Sequence, residues 1–76
     1  MDLKDFVNHF AEQFDDTDIS LFSPETKFRD LDEWSSILGL SIILMVDEEY
    51  GITLKASDIQ AATTIGDLFN IVSSKA

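Results

Sequence analysis

Ser36-Ile37-Leu38-Gly39-Leu40-Ser41-Ile42-Ile43-Leu44-Met45-Val46-Asp47-Glu48-Glu49-Tyr50-Gly51 is the stretch on which the reading of this chain turns. Wound at about 100° per residue, it places Leu38, Ile42, Ile43, Val46 and Tyr50 on one broad side, with Gly39 among them. Ile37, Leu40 and Leu44 fall on the other side, interleaved with Ser41, Asp47 and Glu48. A helix in a small bundle has one side to bury, so this helix carries more apolar surface than a core requires. Two readings follow. Either the second strip is a docking surface, with apolar contacts for affinity and acids for steering, or the preceding loop folds over it and makes it core. The helix is expected to start at Ser35 or Ser36 and to stop at Gly51, because glycine tolerates the positive φ that ends a helix.

Upstream, Leu3, Phe6, Val7, Phe10, Ala11 and Phe14 recur at helical spacing, predicting a first helix over residues 2–14. Asp2 and Asp5 lie where carboxylates favour the positive end of the helix dipole. Residues 15–35 show no sustained period. A connection of that length in a small domain is usually functional or contains a short helical turn, and Ile19, Leu21, Phe22, Phe28 and Leu31 are expected to tie it to the core. Downstream, Ser57-Asp58-Ile59-Gln60 reads as a capping box opening a short third helix. Thr64-Ile65-Gly66-Asp67 reads as another, opening a fourth helix with Ile65, Leu68, Phe69 and Val72 inward. Ile52-Thr53-Leu54 is too short to imply a sheet. The expected fold is all-α: a small four-helix bundle of three longer helices and one short one, with a long first loop, formed as a single domain over residues 1–76.

With 15 acids against 5 bases and a net charge of −10, the chain repels nucleic acid and anionic lipid and attracts partners with basic patches. Apolar residues make up 45% of it, enough for a packed core. Without cysteine there is no disulfide, thiolate metal site or thiol nucleophile. Met1-Asp2-Leu3-Lys4-Asp5 lacks the basic start of a signal peptide, and residues 37–46, broken by Gly39 and Ser41, are too short to span a bilayer. A cytoplasmic, monomeric protein is expected, without membrane insertion.

Phe28-Arg29-Asp30-Leu31-Asp32-Glu33-Trp34-Ser35-Ser36-Ile37 leads into the central helix, which closes with Val46-Asp47-Glu48-Glu49-Tyr50-Gly51-Ile52. Together these segments resemble the acyl carrier protein family, whose attachment motif is Asp-Ser-Leu followed by a helix ending in three acids, an aromatic residue and Gly. Asp58-Ile59 and Thr64-Ile65-Gly66-Asp67-Leu68 are similar to the family's third helix and to the start of its fourth, so the resemblance spans essentially the whole chain. It implies a 4′-phosphopantetheine group, derived from coenzyme A and joined to the hydroxyl of Ser36, with an acyl thioester on its terminal thiol. It further implies a non-catalytic carrier of acyl chains in fatty acid or related lipid metabolism. The implied partners are a phosphopantetheinyl transferase and acyl-loading, condensing and reducing enzymes with basic docking patches. They would meet Ser35, Ile37, Leu40, Ser41 and Leu44, with Asp47 and Glu48 facing basic residues.

The chain departs from the family pattern at three places. Ser35 stands where the family usually has Asp, which removes a charge beside the attachment point and makes two adjacent serines candidates. Ser36 keeps register with Ile37, which replaces the usual Leu, and with Gly51. Ser41 stands where many members carry an acid. Taken alone, either serine reads as a helix cap. An aminoacyl, peptidyl or polyketide cargo, and a cofactor-free interaction module of the same fold, are the alternatives.

Other chemistry finds less support. His9, offset from the first helix's apolar stripe, has no spacing that suggests a Ser-His-acid triad and reads as a surface residue. Asp16-x-Asp18-x-Ser20 begins like a calcium loop, but Leu21 and Lys27 stand where the required Gly and Glu should be. Asp15, Asp16 and Asp18 read as solvated loop charges, and no metal site is expected.

Overall fold

Asp2 opens the first helix by accepting the Lys4 N–H at 3.1 Å. The computed structural model describes all of residues 1–76 and contains four α-helices: α1 (Leu3–Ala11), α2 (Ser36–Tyr50), α3 (Ala56–Ala61) and α4 (Ile65–Lys75). Two 3₁₀ turns, Ile19–Leu21 and Phe28–Asp30, lie in the connection between α1 and α2. Three longer helices, one short helix and a long first connection are the arrangement the sequence predicts.

α1 buries Phe6, Val7, Phe10 and Ala11. It is shorter than its apolar stripe. After Ala11 the ladder tightens, with Gln13 N–H bonded to Phe10 C=O at 3.2 Å and Phe14 N–H to Ala11 C=O at 3.0 Å. Phe14 therefore stays in the core while the chain turns away. The next two amides leave the helix altogether, because the Glu33 carboxylate accepts Asp15 N–H at 2.9 Å and Asp16 N–H at 3.0 Å. The Thr17 hydroxyl donates to it as well, at 2.7 Å. These bonds hold the Glu33 carboxyl below its usual range, the Thr17 bond contributing most. No local pattern in the sequence shows this long-range clamp.

The first connection is tied down by aromatic packing. Phe28 is fully buried, and Phe22 and Leu31 pack half-buried against the core. Ring centroids lie 5.0 Å apart for both Phe14–Phe22 and Phe28–Trp34, and 5.5 Å apart for Phe10–Phe28. Ile19 and Leu21, expected to contribute to this anchoring, do not: they are 70% and 56% exposed. Their 3₁₀ turn is held by local bonds instead. The Asp18 carboxylate accepts Ser20 N–H at 2.9 Å, and Leu21 N–H reaches Asp18 C=O at 3.0 Å. Asp18 is thus a capping group rather than a free loop charge.

α2 begins after Ser35, whose hydroxyl accepts Leu38 N–H at 3.3 Å, and ends at Gly51 with φ of 66°. Leu38, Ile42, Met45 and Val46 are buried, and Ile43 and Tyr50 are half-buried. Met45 thus extends the core side beyond the residues the helical winding assigned to it. α3 starts one residue before the expected box, and Ser57 lies inside the helix. The cap is Asp58, whose carboxylate accepts Lys55 N–H at 2.9 Å.

α4 opens with the expected reciprocal box. Asp67 N–H donates to the Thr64 hydroxyl at 3.1 Å, and Thr64 N–H to the Asp67 carboxylate at 3.0 Å. The first connection supplies further caps. Ile65 N–H donates to Thr26 C=O at 3.1 Å and Gly66 N–H to Pro24 C=O at 2.8 Å. The long loop is therefore docked onto the start of α4, away from the exposed face of α2. Ile65, Leu68 and Val72 of α4 close the core against Phe6, Phe10, Ile42 and Val46. Burial of each large apolar side chain contributes about 1.5–3 kcal/mol. No helix is long and apolar enough to cross a membrane.

Candidate functional site

The two adjacent serines at the head of α2 have different surroundings. Ser35 is extended and spends its hydroxyl on the helix cap. Ser36 is the first helical residue and is exposed, and its hydroxyl has no hydrogen-bond partner within the chain. The α2 ladder starts with Gly39 N–H on Ser35 C=O at 3.0 Å, and Leu38 N–H goes to the Ser35 hydroxyl. The N–H groups of Ser36 and Ile37 remain open to a ligand at the positive end of the helix dipole. No acidic side chain occupies the first turn to oppose an anion there.

Ser36 stands at the edge of a cleft of about 390 Å³ between α2 and α3. Leu40, Ile43 and Ile59 give it apolar surface, and Arg29 and Gln60 add polar groups. Trp34 forms one wall, and a Cβ added at Gly39 would sit 3.6 Å from its ring. Any longer side chain at position 39 would enter the cleft. The α3 wall and Arg29 were not recognisable in the sequence, because they meet Ser36 only through the packing of α3 beside α2. Trp34 also packs half-buried against the core.

Along α2, Ile37, Leu40 and Leu44 are 77%, 57% and 54% exposed, so the long connection does not cover them. Asp47 and Glu48 are exposed beside them, while Ser41 is half-buried. The strip runs from the head of the helix, beside Ser36, to its acidic end. The sequence-defined positions thus form one continuous face of apolar and acidic groups.

A second cleft, of about 250 Å³, flanks this face and is lined by His9, Glu12, Ser41, Leu44, Glu48 and Glu49 among others. His9 is less free than a surface residue. Its Nδ1 lies 3.3 Å from Glu12 and its Nε2 3.8 Å from Glu49, and its ring stands edge-on to Tyr50 at 5.9 Å. The Tyr50 hydroxyl is buried without a hydrogen-bond partner. Burial pushes that phenol above its usual range, with Asp5, Glu49 and Asp2 adding to the effect. No group of three or more His, Cys, Asp or Glu side chains is arranged to hold a metal ion.

A family model described as the phosphopantetheine attachment site matches residues 4–72. No curated protein sequence matches the chain. Among solved structures, the solution structure of a holo acyl carrier protein from Geobacter metallireducens is similar, with a TM-score of 0.76 and 30% sequence identity. The alignment covers 96% of this chain and 83% of that one. With the open serine at the head of α2 and the cleft beside it, these matches give one conclusion: the chain belongs to the phosphopantetheine-attachment family as an acyl carrier protein, with phosphopantetheine as its prosthetic group.

Proposed function

We propose that Ser36 bears the 4′-phosphopantetheine arm and that residues 1–76 form one non-catalytic, monomeric carrier unit acting in the cytoplasm. Its cargo is an acyl chain of fatty acid or related acyl biosynthesis. The observation that carries the site assignment is the division of labour between the serines. Ser35 caps the helix and Ser36 offers a free, exposed hydroxyl at the rim of the cleft. The chain's residues fit the group: the open Ser36 and Ile37 N–H groups favour the phosphate, and the cleft gives an arm or cargo an apolar surface to rest on. When bound, the group supplies the thiol on which the acyl chain is held as a thioester.

Partner enzymes are addressed through Ser35, Ile37, Leu40, Ser41 and Leu44, with Asp47 and Glu48 steering basic patches. They comprise a phosphopantetheinyl transferase and acyl-loading, condensing and reducing enzymes. The exposed apolar strip flanked by acids supports this reading.

The test is incubation of the apo protein with a broad-specificity phosphopantetheinyl transferase, coenzyme A and magnesium, followed by peptide mapping. Mass added on Ser36, abolished in Ser36→Ala and retained in Ser35→Ala, is the expected result. Addition on Ser35, or none on folded apo protein, refutes the assignment. A panel of loading enzymes then decides cargo, since efficient loading by an aminoacyl or polyketide enzyme alone would refute the fatty-acyl reading.

A further inference from the structure

The cleft beside Ser36 contains a single charged side chain. Of the residues lining it, only Arg29 is ionised, although the chain as a whole carries 15 acids and 5 bases. Arg29 Nη1 donates to Ile59 C=O at 2.7 Å, and its guanidinium carbon lies 5.3 Å from the Phe28 ring centroid. These contacts fix the side chain between the Phe28–Asp30 turn and α3. They leave further N–H donors on a planar fork suited to phosphate oxygens. Of the five bases only Lys75 forms an ion pair, with Asp58; Arg29 differs from the unpaired lysines in lining the cleft with its guanidinium tied to Ile59 C=O. In so acidic a chain, an arginine held in place without a carboxylate is available to an anion. Ser35, where the family usually has Asp, leaves the head of α2 without a competing negative charge.

We propose that Arg29 is a positioning residue for the prosthetic group, its guanidinium holding the phosphodiester on Ser36 and turning the arm into the α2–α3 cleft. The inference rests on Ser36 as the attachment point. The phosphodiester is favoured over an anionic cargo because it is fixed to a residue that itself lines the cleft. A cargo carboxylate at the far end of a flexible arm must first lose the arm's conformational freedom.

The test compares wild-type, Arg29→Gln and Arg29→Lys proteins as apo, holo, acetyl-loaded and malonyl-loaded forms, each mapped to show the arm on Ser36. Two quantities are read: the phosphorus resonance of the arm, and the melting temperature of each loaded form minus that of its apo form. Arg29→Gln should bring the phosphorus shift towards that of the same phosphodiester in urea-denatured holo protein. It should also lower the holo-minus-apo difference by about 2–6 °C, as expected for one partly exposed ionic contact in a domain this small. Arg29→Lys should retain part of both effects, and the wild-type difference should shrink in about 1 M salt.

Equal phosphorus shifts and equal melting differences in wild-type and Arg29→Gln would overturn the proposal. So would an effect seen only in the malonyl-loaded form, which would give Arg29 to the cargo. If apo Arg29→Gln fails to fold, wild-type and Arg29→Lys decide: a salt-independent holo-minus-apo difference and a phosphorus shift indifferent to Lys overturn the inference. Mapping that finds the arm elsewhere than Ser36 overturns the attachment reading as well, so the two failures are distinguishable.

Discussion

Replacing Gly66 by Ala should destabilise the protein, although helix propensity alone favours the opposite sign. Gly66 lies in the first turn of α4, and a Cβ there would stand 3.0 Å from the Pro24 carbonyl oxygen. That oxygen already accepts the Gly66 N–H at 2.8 Å, so it cannot retreat without lengthening the bond that docks the long connection. Removing glycine's backbone freedom gains up to about 1 kcal/mol. Against this stand a hydrogen bond worth about 1 kcal/mol and an overpacking penalty of about 1–3 kcal/mol. The net loss is roughly 1–3 kcal/mol, or a fall of about 5–15 °C in melting temperature for a domain of this size. Gly39→Ala is the internal control. It too is helical, but its Cβ would meet only the Trp34 ring at 3.6 Å, an ordinary contact. Propensity should dominate there and raise stability by about 0.5–1 kcal/mol. Circular dichroism melts, supported by urea titrations, measure both. A Gly66→Ala protein as stable as wild type, or two substitutions with the same sign, would refute the reasoning.

Three further outcomes follow from particular contacts. Because the folded-state pKa of Glu33 lies below its ordinary value of 4.5, its ionised form stabilises the fold above that pH and loses this contribution as pH falls through the lower folded value. Glu33→Gln should therefore melt lower than wild type at pH 7, with the gap narrowing as pH falls below the ordinary carboxylate range; a gap that does not narrow with falling pH would contradict this. Leu40→Glu and Glu48→Lys should slow acyl transfer by partner enzymes about tenfold or more at low salt, with far-UV spectra unchanged, since both side chains are exposed. Unchanged transfer rates would place docking elsewhere. Tyr50→Phe removes a buried hydroxyl that has no partner and should be neutral or stabilising by up to about 1 kcal/mol in urea titration; a loss above about 1 kcal/mol would show the hydroxyl to be satisfied.

Much of the architecture was legible because it is local. The spacing of Phe6, Phe10 and Phe14, the Thr64–Asp67 box and the φ of Gly51 are properties of neighbours along the chain, and the structure keeps all three. The excess apolar strip on α2 was equally visible, since a 15-residue helix presents both sides to inspection whatever packs on it. Its exposure was not visible. Whether Ile37, Leu40 and Leu44 face solvent depends on where the long connection goes, and that is decided by Pro24 and Thr26 capping α4 and by Glu33 holding the chain after α1. Ile19 and Leu21 illustrate the same boundary: their apolarity predicts burial, but a locally bonded turn points them outward. The sequence by itself determined the four helices, the Thr64–Asp67 box, the Gly51 stop and the candidate serines, because each rests on residues within about four positions of one another. It misplaced the α3 cap at Ser57 and the end of α1. Which serine hydroxyl is free turns on one local bond, from Leu38 N–H to the Ser35 hydroxyl. Tertiary structure alone decided which helix walls the cleft and that Arg29 stands in it. Those facts arise from contacts between segments up to 30 residues apart, as in the bond from Arg29 to Ile59, which no local periodicity encodes.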